Sequence, residues 1–220
     1  VRSHRNSEGV VSWIDPSSKA QEDLDAFENV GLEVKRHALK VVELAGSSQY
    51  EKALEALGQL QLLCASRVGQ LGIAGWNRTV NKWIGTATRK QWFVGRPVLI
   101  TKNDHGNNLY NGDVGVVCSD KNGEVRVVFD GLVASREFPT VRLPEVETVH
   151  ALTIHKSQGS EYQHAIVVLP TGRSRLLTRE LLYTGVSRAR EQLTIVASES
   201  AIRTAVDTVV IRASGLADRL

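Results

Sequence analysis

The segment ALTIHKSQGSEY, residues 151–162, decides the fold, because it joins a predicted strand to a polar loop within an alternating pattern. One strand is predicted near Val149–Ile154, and the apolar run Ala165–Leu169 after the loop predicts a second. A helix is expected from about Thr178 to Arg190, and a third strand at Leu193–Ala197. Strands that alternate with helices indicate a parallel α/β sheet. Such sheets bind ligands in loops at the carboxyl ends of their strands, so this loop is the first candidate site.

The N-terminal half continues the alternation of helices and strands. The cluster DPSS at 15–18 is typical of a helix start, and a long helix is predicted at Lys19–Ala45. Ser48 and Glu51 have the spacing of a capping box, which predicts a second, short helix. The run QLQLLCA at 59–65 is too short and apolar for a surface helix and predicts a buried strand. Apolar residues at helical spacing then predict a third helix between Ile73 and Ile84.

The pattern changes at Gly95 and changes back beyond Pro144. Between these points lie short runs rich in β-branched residues, separated by Asn-Gly and Asp-Gly pairs that favour hairpin turns. These runs are Val98–Thr101, Val114–Cys118, Val125–Phe129 and Leu132–Phe138. Closely spaced short strands predict a small antiparallel barrel. We therefore expect an α/β domain made of residues 1–94 and 146–220, interrupted by a β-barrel at residues 95–145.

The composition is that of an ordinary globular protein, with 42% hydrophobic and 23% charged residues among 220. No apolar run approaches the ~18 residues of a membrane span, and no signal peptide is recognised, so no membrane partner is expected. Two isolated cysteines, Cys64 and Cys118, exclude a disulfide framework and a cysteine zinc site. We expect a cytoplasmic location and no metal ligands in this chain.

The net charge is only +3, but the basic residues are unevenly distributed. Residues 56–103 contain no acidic residue and seven basic ones, together with three tryptophans. Nucleic acid is a suitable partner for such a stretch, and the alternative is a solvated basic face above tryptophans that fill the core. Trp76 and Trp83 share helical spacing with apolar neighbours and are expected in the core. Trp92 is the better candidate for stacking on a base.

The loop after the first predicted strand is rich in groups that bind phosphates. Its hydroxyl, imidazole and ammonium groups supply hydrogen-bond donors for phosphate oxygens. These candidates are Thr153, His155, Lys156 and Ser157. Gly159 allows a ligand or another backbone to approach closely, and Glu161 can accept from ribose hydroxyls. The alternative is a polar loop capped by its own side chains.

The segment LLYTGVSRARE at 181–191 is the second candidate. Its apolar residues lie near one face of the predicted helix, which leaves Arg188 and Arg190 to diverge from that face. A helix-borne arginine is suited to bidentate contact with a phosphate. Taken alone, an arginine at a helix end is more often a surface charge or a partner of the helix dipole.

Together, TIHKSQGSEY at 153–162 and LLYTGVSRARE at 181–191 resemble motifs V and VI of superfamily 1 DNA helicases. They most resemble the RecD type, the alpha subunit of exodeoxyribonuclease V. LLCASRVGQLGIAGWNRTV at 62–80 is similar to that family's motif IV region, and GRPVLITKND at 95–104 resembles the start of its SH3-like insertion. No motif is recognised before residue 15. The resemblance implies the second, RecA-like motor domain of a helicase, carrying an SH3-like β-barrel.

The resemblance also implies an activity and roles for individual residues. The activity is ATP-dependent movement along single-stranded DNA in recombination and repair. Arg188 matches the motif VI arginine, and Arg67 matches the motif IV arginine. Both are similar to γ-phosphate ligands that stabilise charge during phosphoryl transfer. Arg78 is an alternative to Arg67 for the motif IV role. Positions that match nucleotide contacts are Gln158, Gly159 and Glu161. Positions that match DNA-backbone contacts are Thr153, His155, Lys156 and Ser157.

The sequence departs from the family where the metal and phosphates should bind. No Gly-Lys pair occurs, so there is no phosphate loop, and no apolar strand ends in Asp-Glu to hold Mg²⁺. ATP with Mg²⁺ is implied, with the metal ligands on an N-terminal RecA-like motor domain. The chain contains no methionine, and we expect a fragment that hydrolyses no ATP alone. The implied partners are single-stranded DNA, that motor domain and other exodeoxyribonuclease V subunits.

Two alternatives stay open. The helicase portion of a conjugative relaxase, or another 5′-to-3′ superfamily 1 helicase, has a similar motif V. A stand-alone nucleic-acid-binding or assembly module that has lost ATPase activity is an alternative of a different class. Two retained arginines favour the enzyme, because a decayed ATPase has little reason to keep both.

Overall fold

A computed structural model of the chain describes residues 2–6, 9–85, 91–131, 134–143, 145–172 and 174–210. Its helices are α1 (Gln21–Gly46), α2 (Tyr50–Gln59), α3 (Ile73–Trp83), α4 (Arg179–Val186) and α5 (Glu199–Asp207). Its strands are β1 (Arg2–Asn6), β2 (Gly9–Ile14), β3 (Leu60–Cys64), β4 (Pro97–Ile100), β5 (Val114–Ser119), β6 (Val125–Phe129), β7 (Arg136–Pro139), β8 (Val146–Thr148), β9 (Ala151–Thr153), β10 (Tyr162–Val168) and β11 (Ala189–Val196). The strands form two sheets, which we call the large sheet and the small sheet.

The large sheet has the strand order β1-β2-β11-β10-β3-β9. Its neighbouring strands run parallel, except that β1 pairs antiparallel with β2. Helices cover both faces: α1 and α3 pack against Leu62 and Ile166, whereas α4 and α5 pack against Leu63 and Val167. A strand covered on both faces is apolar along its whole length, which explains the continuous burial of β3. The predicted parallel α/β sheet is confirmed.

Two strands of the large sheet, β1 and β2, were not predicted. β2 pairs with β11 from Val10 opposite Gln192 to Ile14 opposite Val196. Ile14 is buried in the core beneath α1. The β-branched residues in GVVSWI were a usable strand signal, but this segment carried no motif that drew attention to it.

The small sheet is antiparallel throughout, in the order β7-β6-β5-β4-β8. Its core is formed by inward-facing side chains of adjacent strands, among them Val117 and Phe129. Gly123 in the turn between β5 and β6 has a φ of +81°, which agrees with the hairpin chemistry of that turn. Within the described part of the chain the edge strands β7 and β8 do not pair with each other. Closure of this sheet into a barrel therefore stays a prediction.

The boundaries of the small sheet differ slightly from those expected. β8 lies just beyond the expected limit at residue 145, and β7 begins at Arg136, late in the predicted run 132–138. Residues 132 and 133 lie outside the described residues. The buried side chain of Arg96 donates from Nε to Thr148 Oγ1 at 2.8 Å, which joins the two chain segments that enter and leave the small sheet.

The predicted capping box at Ser48 and Glu51 is wrong. α2 begins at Tyr50, and its N-cap residue, Gln49, makes no side-chain capping bond. Ser48 has a φ of +57°, and its hydroxyl donates to the carbonyl of Ser119 in β5 at 3.1 Å. A tertiary hydrogen bond to the small sheet has replaced the local cap.

A buried polar network fixes α1 against the large sheet. His164 in β10 is 7% exposed, and its Nδ1 donates to Glu33 Oε1 of α1 at 2.9 Å. Its Nε2 lies 2.9 Å from Thr194 Oγ1 of β11. The hydrogen bond from His164 lowers the pKa of Glu33, because it stabilises the carboxylate. The network links α1 to strands β10 and β11.

Candidate functional site

The loop at residues 154–161 crosses the large sheet from one edge to the other. Thr153 at the end of β9 is level with Cys64 of β3, which is level with Val168 at the end of β10. Tyr162, where the loop enters β10, precedes Val168 by six residues, or about 20 Å at ~3.3 Å per residue. The loop therefore begins at the carboxyl edge and ends at the amino edge. Its candidate residues are divided between these two edges.

At the carboxyl edge, two candidate hydroxyls are used within the loop. Thr153 Oγ1 accepts from the backbone N–H of Lys156 at 3.1 Å, and Ser157 Oγ donates to the carbonyl of Ile154 at 2.7 Å. Ser157 is fully buried and Thr153 nearly so. These bonds build the 3-10 turn His155–Ser157. His155 is exposed at this turn, so it is the group of this set that is presented to solvent.

The candidate DNA-binding lysine is held by the small sheet. Lys156 Nζ lies 2.7 Å from Glu147 Oε2 of β8. The lysine side chain is 28% exposed and the glutamate 54%. An ion pair so near water is weak, at about 0–1 kcal/mol, so a phosphate can compete for the lysine.

At the amino edge, the loop ends beside the motif VI segment. Gly159 has a φ of +87°, and no atom lies within 4 Å of the place where a Cβ would be. Glu161 Oε2 accepts from Arg190 Nε at 2.8 Å, and both side chains are exposed. Gln158, next to Gly159, is also exposed, and its backbone N–H closes the turn His155–Ser157 by donating to the His155 carbonyl at 3.3 Å. The backbone here is open to a ligand, and a carboxylate is held beside the opening.

Arg188 does not lie on a helix, contrary to the prediction of a helix to residue 190. α4 begins correctly, with the Thr178 side chain accepting from Leu181 N, but it ends at Val186. Ala189 already pairs with Tyr162 as the first residue of β11. Parallel pairing with β10 on one side and β2 on the other outweighs the local helical pattern.

The guanidinium of Arg188 is tied to the end of the loop. Its Nε donates to the Thr184 carbonyl at 3.0 Å, its Nη1 to the Ser160 carbonyl at 3.1 Å, and its Nη2 to Ser187 Oγ at 2.9 Å. The backbone N–H of Tyr162 also donates to the Arg188 carbonyl at 2.8 Å. Arginine has five N–H donors, so these bonds orient the side chain and leave two donors for an anion. Arg188 is thus a pre-oriented cation beside Ser160, the residue before Glu161.

Arg67 lies at the opposite edge. It follows β3 beyond Cys64, and its backbone carbonyl accepts from Ala74 N in the first turn of α3. Its side chain is exposed. Arg67 and Arg188 are therefore separated along the strands by about 20 Å, at ~3.3 Å per residue. The structure does not bring the two predicted γ-phosphate ligands to one place.

Sequence reasoning missed two charged partners of the site. Glu147 pairs with Lys156 although it belongs to the small sheet, and no spacing signal links these residues. Arg190 pairs with Glu161 across a separation of 29 residues. The segment SRAR, with two closely spaced arginines, was the available signal for Arg190. This spacing does not show which carboxylate pairs with Arg190.

Within the described ranges, no three His, Cys, Asp or Glu side chains are grouped as a metal site requires. The helices that the structure describes include none with the length and apolarity needed to cross a bilayer.

Residues 148–196 match the UvrD-like helicase C-terminal domain. RecBCD enzyme subunit RecD from Mycolicibacterium smegmatis is 44% identical over 200 residues, which cover 89% of this chain and 35% of that protein. RecBCD enzyme subunit RecD from Mycobacterium tuberculosis is 45% identical over 84% of this chain and 32% of that protein. The chain is a RecD-type sequence. It spans about a third of the length of these curated relatives.

A relative of lower sequence identity is also of RecD type. The ATP-dependent RecD2 DNA helicase of Deinococcus radiodurans is 31% identical over 76% of this chain and 22% of that protein. Among solved structures, Pif1 helicase from Bacteroides in complex with ADP-AlF3 and ssDNA has a TM-score of 0.47 and 16% identity, covering 80% of this chain and 51% of that one.

Proposed function

We propose that this chain is the second motor domain of an ATP-dependent DNA helicase of RecD type. In the complete protein it couples ATP hydrolysis to movement along single-stranded DNA in recombination and repair. The observation that carries this proposal is the RecD-type match over 89% of the chain, which includes the loop at 154–161 and Arg188. That loop is continuous between the two edges of the large sheet, so it can link a nucleotide site to a DNA site.

The amino edge suits a nucleotide. Arg188 retains donors for a phosphate oxygen, Glu161 offers a carboxylate to ribose hydroxyls, and Gly159 and Gln158 border the opening. Bound ATP supplies the phosphoryl bond whose hydrolysis drives movement. Arg188 would stabilise charge that develops on the γ-phosphate. The Arg190 guanidinium orients the Glu161 carboxylate through the hydrogen bond from Nε to Oε2.

The carboxyl edge suits a DNA backbone. His155 is exposed there, and Lys156 can exchange its carboxylate partner for a phosphate. Thr153 and Ser157 act by shaping the turn, since their hydroxyls already bond within the loop. Arg67 follows the neighbouring strand, β3, at the same edge, and we assign it to DNA contact rather than to the γ-phosphate.

Several finer features belong to the same proposal. The α/β domain is RecA-like, and the small sheet, inserted between β3 and β9, is an SH3-like β-barrel. The phosphate loop and the Mg²⁺ ligands lie on an N-terminal motor domain, and further exodeoxyribonuclease V subunits are partners. The location is the cytoplasm, where the two buried cysteines, Cys64 and Cys118, stay reduced.

DNA-stimulated ATP hydrolysis by the full-length protein tests this function. Arg188→Ala is expected to lower kcat by about 10³-fold or more, because an arginine finger acts in the transition state. Arg203→Ala, which removes an exposed arginine of α5 paired with Glu199, is the matched control and should retain activity. Full activity in Arg188→Ala contradicts the proposal. A full-length protein that binds DNA but hydrolyses no ATP is a non-catalytic binding module.

A further inference from the structure

Helix α1 presents apolar side chains that no described part of the chain covers. Leu24, Leu32 and Leu39 are 48%, 48% and 41% exposed. The opposite face of α1 lies in the core, where Val30 and Val34 pack against the large sheet together with the two tryptophans of α3, as predicted for those tryptophans. The core therefore fixes α1 on the sheet without help from the three leucines.

The three leucines lie on one line along the helix. Positions 24, 28, 32, 35 and 39 follow each other at intervals of four, four, three and four residues, which places them on one side of an α-helix. We call this line the α1 stripe, and it consists of Leu24, Glu28, Leu32, Lys35 and Leu39. It is about 22 Å long at ~1.5 Å per residue. A single exposed leucine is ordinary, whereas three in line suit contact with another helix.

The α1 stripe is complementary to itself when a second copy is turned end to end. Its side chains read Leu-Glu-Leu-Lys-Leu in one direction and Leu-Lys-Leu-Glu-Leu in the other. In an antiparallel pair, Leu32 meets Leu32 of the second copy at a two-fold axis. Leu24 then meets Leu39 of the second copy, and Glu28 meets its Lys35. Both halves of such an interface make the same contacts, as two-fold symmetry requires.

The charges around the α1 stripe favour the same antiparallel direction. Residues 22–28 include four acidic residues and no basic one, whereas residues 35–40 include three basic residues and no acidic one. An antiparallel pair places each acidic segment against a basic one, and a parallel pair places like charges together. None of the ion pairs between described residues involves Glu28 or Lys35. Both side chains can therefore pair with a second copy.

We propose that the α1 stripe joins two copies of this chain as an antiparallel, two-fold symmetric pair of α1 helices. A second copy is the occupant because the stripe matches its own reverse, whereas the acidic segment repels the phosphates of a nucleic acid. One helix face per copy should bury less than the ~800 Å² per partner of a standard interface, so we expect a weak dimer with a Kd of about 10 µM. Dimerisation through α1 needs neither DNA nor ATP, so it goes beyond the proposed function.

Sedimentation velocity of the full-length protein tests whether α1 joins two copies. Wild type should change from monomer to dimer as its concentration rises from about 1 to 100 µM. Leu32→Lys places two ammonium groups beside the two-fold axis, so its Kd should rise about 100-fold or more. Val141→Lys, at a residue that is 91% exposed beside the small sheet, is the matched control and should dimerise like wild type.

An exchange of charges tests the pairing of Glu28 with Lys35. Glu28→Lys and Lys35→Glu each place like charges opposite each other, so each should weaken dimerisation about tenfold. The double variant that combines them restores opposite charges and should dimerise like wild type. Such a recovery cannot come from damage to α1, because both substitutions are present in the double variant.

Oxidative cross-linking with copper phenanthroline tests the register of the two helices. Leu32→Cys should give a covalent dimer, because its two thiols lie beside the axis. Leu24→Cys alone should not, since its two thiols are about 22 Å apart at ~1.5 Å per residue, but it should cross-link when combined with Leu39→Cys. The native Cys64 and Cys118 are buried and are present in every variant.

These outcomes are distinct from those that test the helicase function. A wild-type protein that stays monomeric at about 100 µM overturns the proposal, and so does a Leu32→Lys variant that dimerises like Val141→Lys. A double charge variant that stays as weak as the single variants overturns it as well. Equal cross-linking of Leu24→Cys and Leu32→Cys would show a parallel pair and contradict the antiparallel register.

Discussion

The two edges of the large sheet differ in how their polar groups are satisfied. At the amino edge, Arg188 makes three side-chain hydrogen bonds and Glu161 is paired with Arg190. At the carboxyl edge, His155 and Arg67 are exposed. Both edges contain internal bonds, since Lys156 at the carboxyl edge pairs with Glu147. The edges differ in the arginines that match γ-phosphate ligands: Arg188 is fixed by three bonds within the protein, whereas Arg67 is exposed to solvent.

This difference matches two kinds of ligand chemistry. A transition-state contact requires groups that are oriented before the ligand arrives, because reorganisation raises the barrier. Binding along a DNA backbone requires exposed cations that can exchange counterions for phosphates. The comparison predicts that substitutions at the amino edge change catalysis or stability, whereas those at the carboxyl edge change DNA affinity and its dependence on salt.

The largest expected effect separates the two arginines. In the full-length protein, Arg67→Ala should keep kcat for ATP hydrolysis within about tenfold of wild type, against the roughly 10³-fold loss expected for Arg188→Ala. It should instead weaken binding to single-stranded DNA. Steady-state kinetics with saturating DNA, together with anisotropy, measure both quantities. Equal losses of kcat for the two variants would mean that the chain rearranges to bring both arginines to one phosphate.

A smaller effect concerns two histidines near β9. Burial lowers the pKa of His150 to about 3 from an ordinary value of 6.5, while its Nε2–H donates to Asn81 Oδ1 at 3.0 Å. Below pH 6.5 the unfolded chain therefore binds a proton that the folded chain does not. The free energy of unfolding thus decreases as the pH is lowered. Between about pH 7 and pH 5 this amounts to about 2 kcal/mol in the free energy of unfolding.

Urea unfolding at both pH values measures this contribution. His150→Gln should have a shallower pH dependence than wild type, whereas His155→Gln, which changes an exposed histidine, should keep the full dependence. Burial also lowers the pKa of His37, so part of the pH dependence should persist in His150→Gln. Identical pH profiles for His150→Gln and wild type would show that His150 is not held neutral.

A further effect tests the carboxyl edge directly. The double variant His155→Ala with Lys156→Ala should lower the affinity of the chain for single strands by about tenfold at low salt. The plot of log affinity against log salt should also become shallower by roughly 0.7 for each phosphate that the variant no longer neutralises. An anisotropy titration across a salt series provides both values. An unchanged slope would place the DNA away from this turn.

The smallest effect concerns the partner of Lys156. Glu147→Gln frees the lysine for phosphate, so binding to single strands should become about two- to threefold tighter. Glu124→Gln is the matched control, because Glu124 is also an exposed carboxylate near the small sheet and pairs with Arg126 rather than with Lys156. Equal affinities for the two variants would show that the ion pair does not compete with DNA.

Local sequence patterns predicted correctly those helices and strands whose formation depends on neighbouring residues. Apolar runs and turn chemistry predicted β3, β5, β6 and α3 to within a few residues. They failed where distant partners decide the outcome. Ser48 bonds to Ser119 of the small sheet instead of capping α2, and the chain from Ala189 joins a sheet instead of continuing a helix.

The sequence by itself determined that this chain has a parallel α/β sheet, that a strand-rich insertion interrupts it, and that its motifs are of RecD type. These properties depend on hydrophobic periodicity and on short motifs, which are formed by residues close together in sequence. Only the tertiary structure decided that Arg67 and Arg188 lie at opposite edges, and that Lys156 and Glu161 have ion-pair partners in other segments. Strand order and register set those distances, and both arise from packing between residues that are far apart in sequence.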